Sequence, residues 1–257
     1  MTTSTAPAPT EHRLSTRDGT SIAWREMGSG RPVVLLHGLF SDGVMNWIKF
    51  GTARKLADAG FRVIMPDLRA HGLSERSHDP ARYHTDMLVN DLEDLLAALG
   101  LGPGSFDLAG FSLGGRTAVK AVLSGVAPRR LALVGMGLDG LADWERRSGF
   151  FLRALKRFDE VKRGDPEYMA VGFMKTMKVD RTAAALLLRA LGDIDVAQLS
   201  RITMPTLVLS GRDDRDNGSP EKLAELLPDA TLEWIPGTHM SSVTEPALGE
   251  ALSRFFA

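Results

Sequence analysis

Four short apolar runs, PVVLLH, FRVIMP, FDLAGF and LALVGM, recur at residues 32–37, 61–66, 106–111 and 131–136. Their length and their β-branched and aliphatic content predict strands buried on both faces. Amphipathic stretches separate them. In residues 85–99, Leu88, Leu92, Leu95, Leu96 and Leu99 fall on one helical face, with acids on the other. Alternating strand and helix predicts a parallel sheet covered on both sides. Upstream, two strand-like runs at 12–17 and 21–27 flank Asp18-Gly19, a pair that tolerates the positive φ of a tight turn, and predict an antiparallel hairpin. From about residue 140 to 201 the alternation stops, and two or three consecutive helices are expected. One carries Phe151, Leu155 and Phe158. Another should open at Asp165-Pro166, an N-cap followed by a first-turn proline, and carry Met169, Phe173, Met174 and Met177. Strand character returns at PTLVLSG and near 231–235, before a final helix. The pattern therefore predicts an α/β core domain (13–139 and 202–257), a helical insertion (140–201) and a disordered N-terminal tail (1–12).

Composition narrows the chemistry without deciding it. The 257 residues are 44% hydrophobic and 25% charged, with a formal net charge of -1. Neither sign dominates, so no electrostatic case exists for nucleic acid or an anionic membrane, and a small neutral or apolar partner is expected. The absence of cysteine removes disulfides, thiolate metal sites and a cysteine nucleophile. The opening MTTSTAPAPTEH lacks the basic and apolar regions of a signal peptide, and no apolar run nears the roughly 20 residues of a bilayer span. The expectation is a cytoplasmic protein needing neither metal nor organic cofactor. The oligomeric state is not readable.

The sharpest motif is Gly110-Phe111-Ser112-Leu113-Gly114, placed where the run FDLAGF ends and a helix begins. A serine in such a turn is forced into strained backbone, which exposes its hydroxyl above the sheet. The turn also aims the Leu113 N–H at any oxyanion formed there.

From about Ser15 onward the chain resembles the α/β-hydrolase family, esterase-like members in particular. Four further segments carry the resemblance. His37-Gly38-Leu39-Phe40 resembles the loop that supplies a second backbone oxyanion donor, here Leu39, and the resemblance gives His37 a loop-shaping role. Asp67-Leu68-Arg69-Ala70-His71-Gly72-Leu73-Ser74 is similar to a family turn, with Ala70 in place of a glycine, and Asp67 and His71 are expected to order it. Gly211-Arg212-Asp213-Asp214 places the family's acid at Asp214, with Asp139 after the preceding strand as the alternative. Pro236-Gly237-Thr238-His239-Met240 carries the family's base at His239. His78 and His84 lie in a polar stretch and should be solvated.

Ser112, Asp214, His239 and the His37 loop each follow a separate expected strand, and such ends share one edge of an open parallel sheet, where ligands bind. The resemblance implies a Ser–His–Asp triad of Ser112, His239 and Asp214, with Leu39 and Leu113 as oxyanion donors. Phe40, Phe111 and Met240 are the expected substrate contacts, and the insertion stands where the family carries a cap. Hydrolysis of esters, thioesters or lactones with small to medium apolar acyl groups is implied. The alternatives are a non-catalytic ligand-binding relative, or the same residues running C–C bond hydrolysis, acyltransfer or perhydrolysis. Serine at 112 disfavours dehalogenase and epoxide hydrolase chemistry. Gly135-Met136-Gly137-Leu138-Asp139-Gly140 spells a dinucleotide fingerprint, but the helical FFLRALKRF downstream stands where that fold needs a strand.

Overall fold

The structure is a computed structural model, described for residues 8–257. Eight strands form one sheet in the order β1-β2-β4-β3-β5-β6-β7-β8. They are β1 (Thr10–Ser15), β2 (Ser21–Met27), β3 (Arg31–Leu36), β4 (Phe61–Pro66), β5 (Asp107–Phe111), β6 (Leu131–Val134), β7 (Thr206–Gly211) and β8 (Ala230–Ile235). The pairs β1–β2 and β2–β4 are antiparallel, and every other pair is parallel. The four expected central runs are β3, β4, β5 and β6. Strands β5, β6 and β7 are buried along their whole length, which explains why they read as continuous apolar runs. The exception proves instructive. Asp107, fully buried at the start of β5, is charge-compensated by Arg31 and Arg129, each 3.0 Å away.

Helices cover both faces. Helices α1 (Thr52–Asp58) and α9 (Pro246–Phe256) pack with Val33, Leu35, Ala109 and Leu207 on one face. On the other lie α2 (Met87–Ala98), α3 (Leu113–Leu123) and α8 (Pro220–Glu225), against Val34, Leu36, Leu108 and Leu133. Between β6 and β7 stand α4 (Asp139–Ala142), α5 (Trp144–Lys156), α6 (Tyr168–Thr176) and α7 (Arg181–Ala190), with no strand among them.

Two expectations are corrected. The expected tail 1–12 is too long: Thr10, Glu11 and His12 belong to β1, paired with Glu26, Arg25 and Trp24, while residues 1–7 lie outside the described residues. The second correction concerns α6, which begins at Tyr168 rather than at Asp165-Pro166. Asp165 does not cap it, because its carboxylate accepts from the Lys162 N–H and pairs with Arg157. Met169, expected in the apolar stripe, is 78% exposed, whereas Met174, five residues on, is buried.

Candidate active site

The turn between β5 and α3 is tight because two glycines let backbones touch. A Cβ on Gly110 would sit 2.2 Å from the Gly114 carbonyl carbon, and one on Gly114 would sit 2.2 Å from the Leu36 oxygen. Only glycine allows strand, helix and β3 to approach this closely. The cost of the turn falls on Ser112, whose φ is 51° and ψ -111°. A non-glycine residue there is strained, and the strain holds the hydroxyl at the head of α3.

Two loops bring partners to that hydroxyl. His239, in the loop after β8, places Nε2 3.1 Å from Ser112 Oγ and Nδ1 2.8 Å from Asp214 Oδ2. Asp214 lies in the turn after β7, and its Oδ1 accepts from the Asp216 N–H at 2.9 Å. An ionised carboxylate can only accept, so Nδ1 carries the imidazole proton and Nε2 is left to accept from the serine hydroxyl. Burial alone would raise the Asp214 carboxyl. The His239 hydrogen bond and charge, the Asp216 N–H and Arg147 outweigh it and hold the group below its ordinary value. Asp139 is exposed, at the start of α4, and makes no such contact.

The loop after β3 is held from beneath by two buried histidines. His37 Nε2 accepts from the Leu68 N–H and its Nδ1–H donates to the Gly38 oxygen. His71 does the same between the Phe40 N–H and the Arg69 oxygen. Both lone pairs are thus engaged by backbone, which leaves neither ring free as a base. Burial pushes both below the ordinary histidine value, His71 to about 3. Asp67 ties the same loops, accepting from the N–H groups of Gly43 and Leu73 and facing Arg25. Leu39 and Leu113 both border the small cavity beside Ser112. The Leu39 N–H has no hydrogen-bond acceptor among the described residues, and Leu113, opening α3, has none within its helix.

That cavity is lined by Leu39, Ser112, Met136, Trp144, Arg147 and Asn217 among others, and offers only about 10 Å³, room for one water molecule. A wider hollow of about 500 Å³ lies on the outer side of the Asp214 turn and touches neither Ser112 nor His239. The expected substrate contacts are placed differently. Phe111 packs behind the imidazole, its ring 4.9 Å from that of His239, because strand alternation sends it to the α1/α9 face. Phe40, buried, meets Phe151 of α5 edge-to-face at 5.3 Å. Met240 is 47% exposed and lines neither hollow. None of the three borders the cavity. His78 and His84 are exposed, as expected, and His78 lies 2.8 Å from Asp180 at the start of α7.

Sequence reading missed the residues that do border it. Arg147 of α5 directs Nη2 at Ser112 Oγ at 3.5 Å, and Asn217 directs Nδ2 at the same atom at 3.5 Å while donating to the Gly135 oxygen at 2.6 Å. Asn217 could have been suspected from its place three residues after Asp214. Arg147 could not, since WERRSGFF reads as an ordinary amphipathic helix. The glycines of the false fingerprint have a steric purpose: a Cβ on Gly137 would meet the Gly218 oxygen at 2.4 Å, and one on Gly140 the Asn217 Oδ1 at 2.7 Å. They let the Asn217 loop close on the site.

A family model described as the alpha/beta hydrolase fold matches residues 31–191. The chain belongs to the alpha/beta hydrolase family. This alpha/beta hydrolase is 27% identical to the non-heme chloroperoxidase CPO-A1 of Kitasatospora aureofaciens, over 93% of its own length and 96% of the relative's. Among solved structures, a hydrolase from Pseudomonas aeruginosa PA01 superposes with a TM-score of 0.75 at 28% identity, covering 98% of this chain and 100% of the other. The esterase EaEST from Exiguobacterium antarcticum gives a TM-score of 0.73 at 25% identity, covering 95% and 99%. No helix among the described residues is long and apolar enough to cross a membrane.

Proposed function

We propose that this alpha/beta hydrolase cleaves carboxylic esters, or the related thioesters and lactones, with Ser112 as nucleophile. The observation that carries the reading is the continuous hydrogen-bonded line from Ser112 Oγ through His239 to Asp214. A serine hydroxyl is too weakly acidic to attack unaided near neutral pH, so His239 Nε2 takes its proton as the Oγ–carbon bond forms. Asp214 fixes the tautomer and stabilises the imidazolium. The unpaired N–H groups of Leu39 and Leu113 face the oxyanion, each such donor typically worth about 100- to 1000-fold in rate. Collapse of the tetrahedral adduct expels the alcohol, which takes the proton back from His239. Water, deprotonated by His239, then releases the acid. The helices between β6 and β7 act as a cap over the serine, and the narrow cavity favours short acyl groups. The substrate is a small molecule, and neither metal nor organic cofactor enters these steps.

The likeness to a chloroperoxidase favours a second reading at the same serine. Hydrogen peroxide in place of water would release the acyl group as a peroxyacid, and a peroxyacid oxidises halide. Both readings need the acyl-enzyme.

The deciding experiment is turnover of p-nitrophenyl esters from acetyl to palmitoyl, beside Ser112→Ala. The expected result is turnover greatest at short chains and lost by about a millionfold in the variant. Equal activity in the variant removes Ser112 as nucleophile. Serine-dependent halide oxidation with acetate and peroxide would move weight to the second reading.

A further inference from the structure

Two arginines line the cavity beside Ser112, and they are used differently. Arg116 of α3 spends its donors on backbone, reaching the oxygens of Gly140, Leu141 and Gly192, and stacks 4.8 Å over Trp144. It straps the inserted helices to the helix that carries the nucleophile. Arg147 has one well-made bond, to the Asp216 oxygen at 2.8 Å, and lies over the Phe151 ring at 5.6 Å. Its other terminal nitrogen is aimed at the serine hydroxyl at 3.5 Å, too long for a strong hydrogen bond. No carboxylate among the described residues lies in ion-pair contact with it. The charges of Asp216 and, less strongly, Asp214 reach it without forming an ion pair, and Asp214 is turned to His239.

We infer that Arg147 recognises a carboxylate on the acyl portion of the substrate, so that the preferred substrates are monoesters of short dicarboxylic acids. The inference rests on the ester-hydrolase reading above. A guanidinium with free donors in a confined, partly desolvated site is a receptor for a planar anion, because a carboxylate can take two parallel N–H bonds and supply the missing charge. The anion belongs to the acyl side. The leaving group must lie against His239 Nε2 to be protonated, whereas His239 does not line this cavity; Leu39 and Leu113, which face the ester oxygen, do. Distance sets the length. A carboxylate oxygen at about 2.8 Å from Arg147 Nη2 falls within roughly 6 Å of Ser112 Oγ, which fits malonyl to glutaryl groups. The carboxylate takes no part in bond making: Oγ attacks the ester carbon, and His239 carries the proton from Oγ to the departing alcohol.

The test compares monomethyl with dimethyl esters of malonate, succinate, glutarate and adipate, which differ only in the free charge. Rates are followed for the unmodified protein, Arg147→Met and Arg147→Lys, each first titrated with a neutral fluorophosphonate to count reactive Ser112. The unmodified protein should favour the monoester in kcat/KM by about tenfold or more, chiefly through KM. Arg147→Met should erase or reverse that ratio, and Arg147→Lys should restore part of it. Free glutarate should also slow fluorophosphonate labelling of the unmodified protein. A monoester no better than its diester, with Ser112-dependent turnover of both, overturns the inference and leaves the esterase reading standing. Neither turnover nor labelling at Ser112 overturns both.

Discussion

At the scale of single residues the site works by leaving some groups free and committing the rest. His37 and His71 sit close to the Ser112 loop, yet their ring nitrogens are both hydrogen-bonded to backbone. His239 has its Nδ1 on a carboxylate and its Nε2 open to Ser112. The same contrast separates Asp214 from Asp139, so the two acids give a sharp prediction. Asp214→Asn should lower kcat by about four orders of magnitude, since an amide no longer enforces the Nδ1–H tautomer. Asp139→Asn should leave kcat within a few-fold, measured on one short-chain ester. Ser112 stood out in the sequence through its glycine-flanked turn between strand and helix, whereas Asp214 and His239 were candidates through the resemblance of their loops to the family's. Arg147 and Asn217 were not, because their meaning depends on which way a helix face and a loop turn in space. Phe111, though adjacent to Ser112 in sequence, packs with the α1/α9 side of the sheet because side chains alternate along a strand.

At the scale of elements, close approach is the rule that the strands and α3 obey. Gly114 stands where α3 touches β3, and a methyl group there would collide with the Leu36 carbonyl at 2.2 Å. Gly114→Ala should therefore cost several kcal/mol or prevent folding, as overpacking against rigid backbone does. Gly172, in the middle of α6, has open space where a Cβ would point. Gly172→Ala should raise stability by up to about 1 kcal/mol, because alanine loses less entropy in a helix. Urea melts of both variants check the pair, and similar midpoints would contradict the steric account. Central strands announced themselves in the sequence because burial on both faces demands apolar runs. The start of α6 did not: Asp165-Pro166 is a sound helix opening locally, and only the pull of Arg157 on that carboxylate turns it to another use. β1 was placed two residues late because an edge strand facing solvent carries almost no apolar signal.

At the scale of the whole molecule, one edge of the sheet gathers four loops, and two neutral histidines hold the loop after β3 against the loop after β4. That arrangement links the integrity of the site to pH. Burial depresses both histidines, His71 to about 3. The unfolded chain, with histidines near 6.5, binds protons that the folded state refuses, so folding stability is complete above about pH 6.5 and falls as the pH drops through the window below it. Each unit of depression is worth about 1.4 kcal/mol, giving a loss on the order of a few kcal/mol from His71, with His37 acting in the same direction. Asp214 and Asp180, held below their ordinary values, lose their contributions in the same direction but only in the carboxylate range. The two effects therefore separate on the pH axis. Thermal melts between pH 7 and 4.5 should show a steady fall in Tm before carboxylates titrate. His71→Gln, which can still accept from the Phe40 N–H, should start from a lower Tm but descend less steeply. A flat Tm across that window, or an unchanged slope in the variant, would mean that the buried histidines do not set the acid limit. Since the Phe40 N–H is the group His71 accepts from, the adjoining Leu39 loop should be disturbed with it, and fluorophosphonate labelling of Ser112 should fall along the same curve.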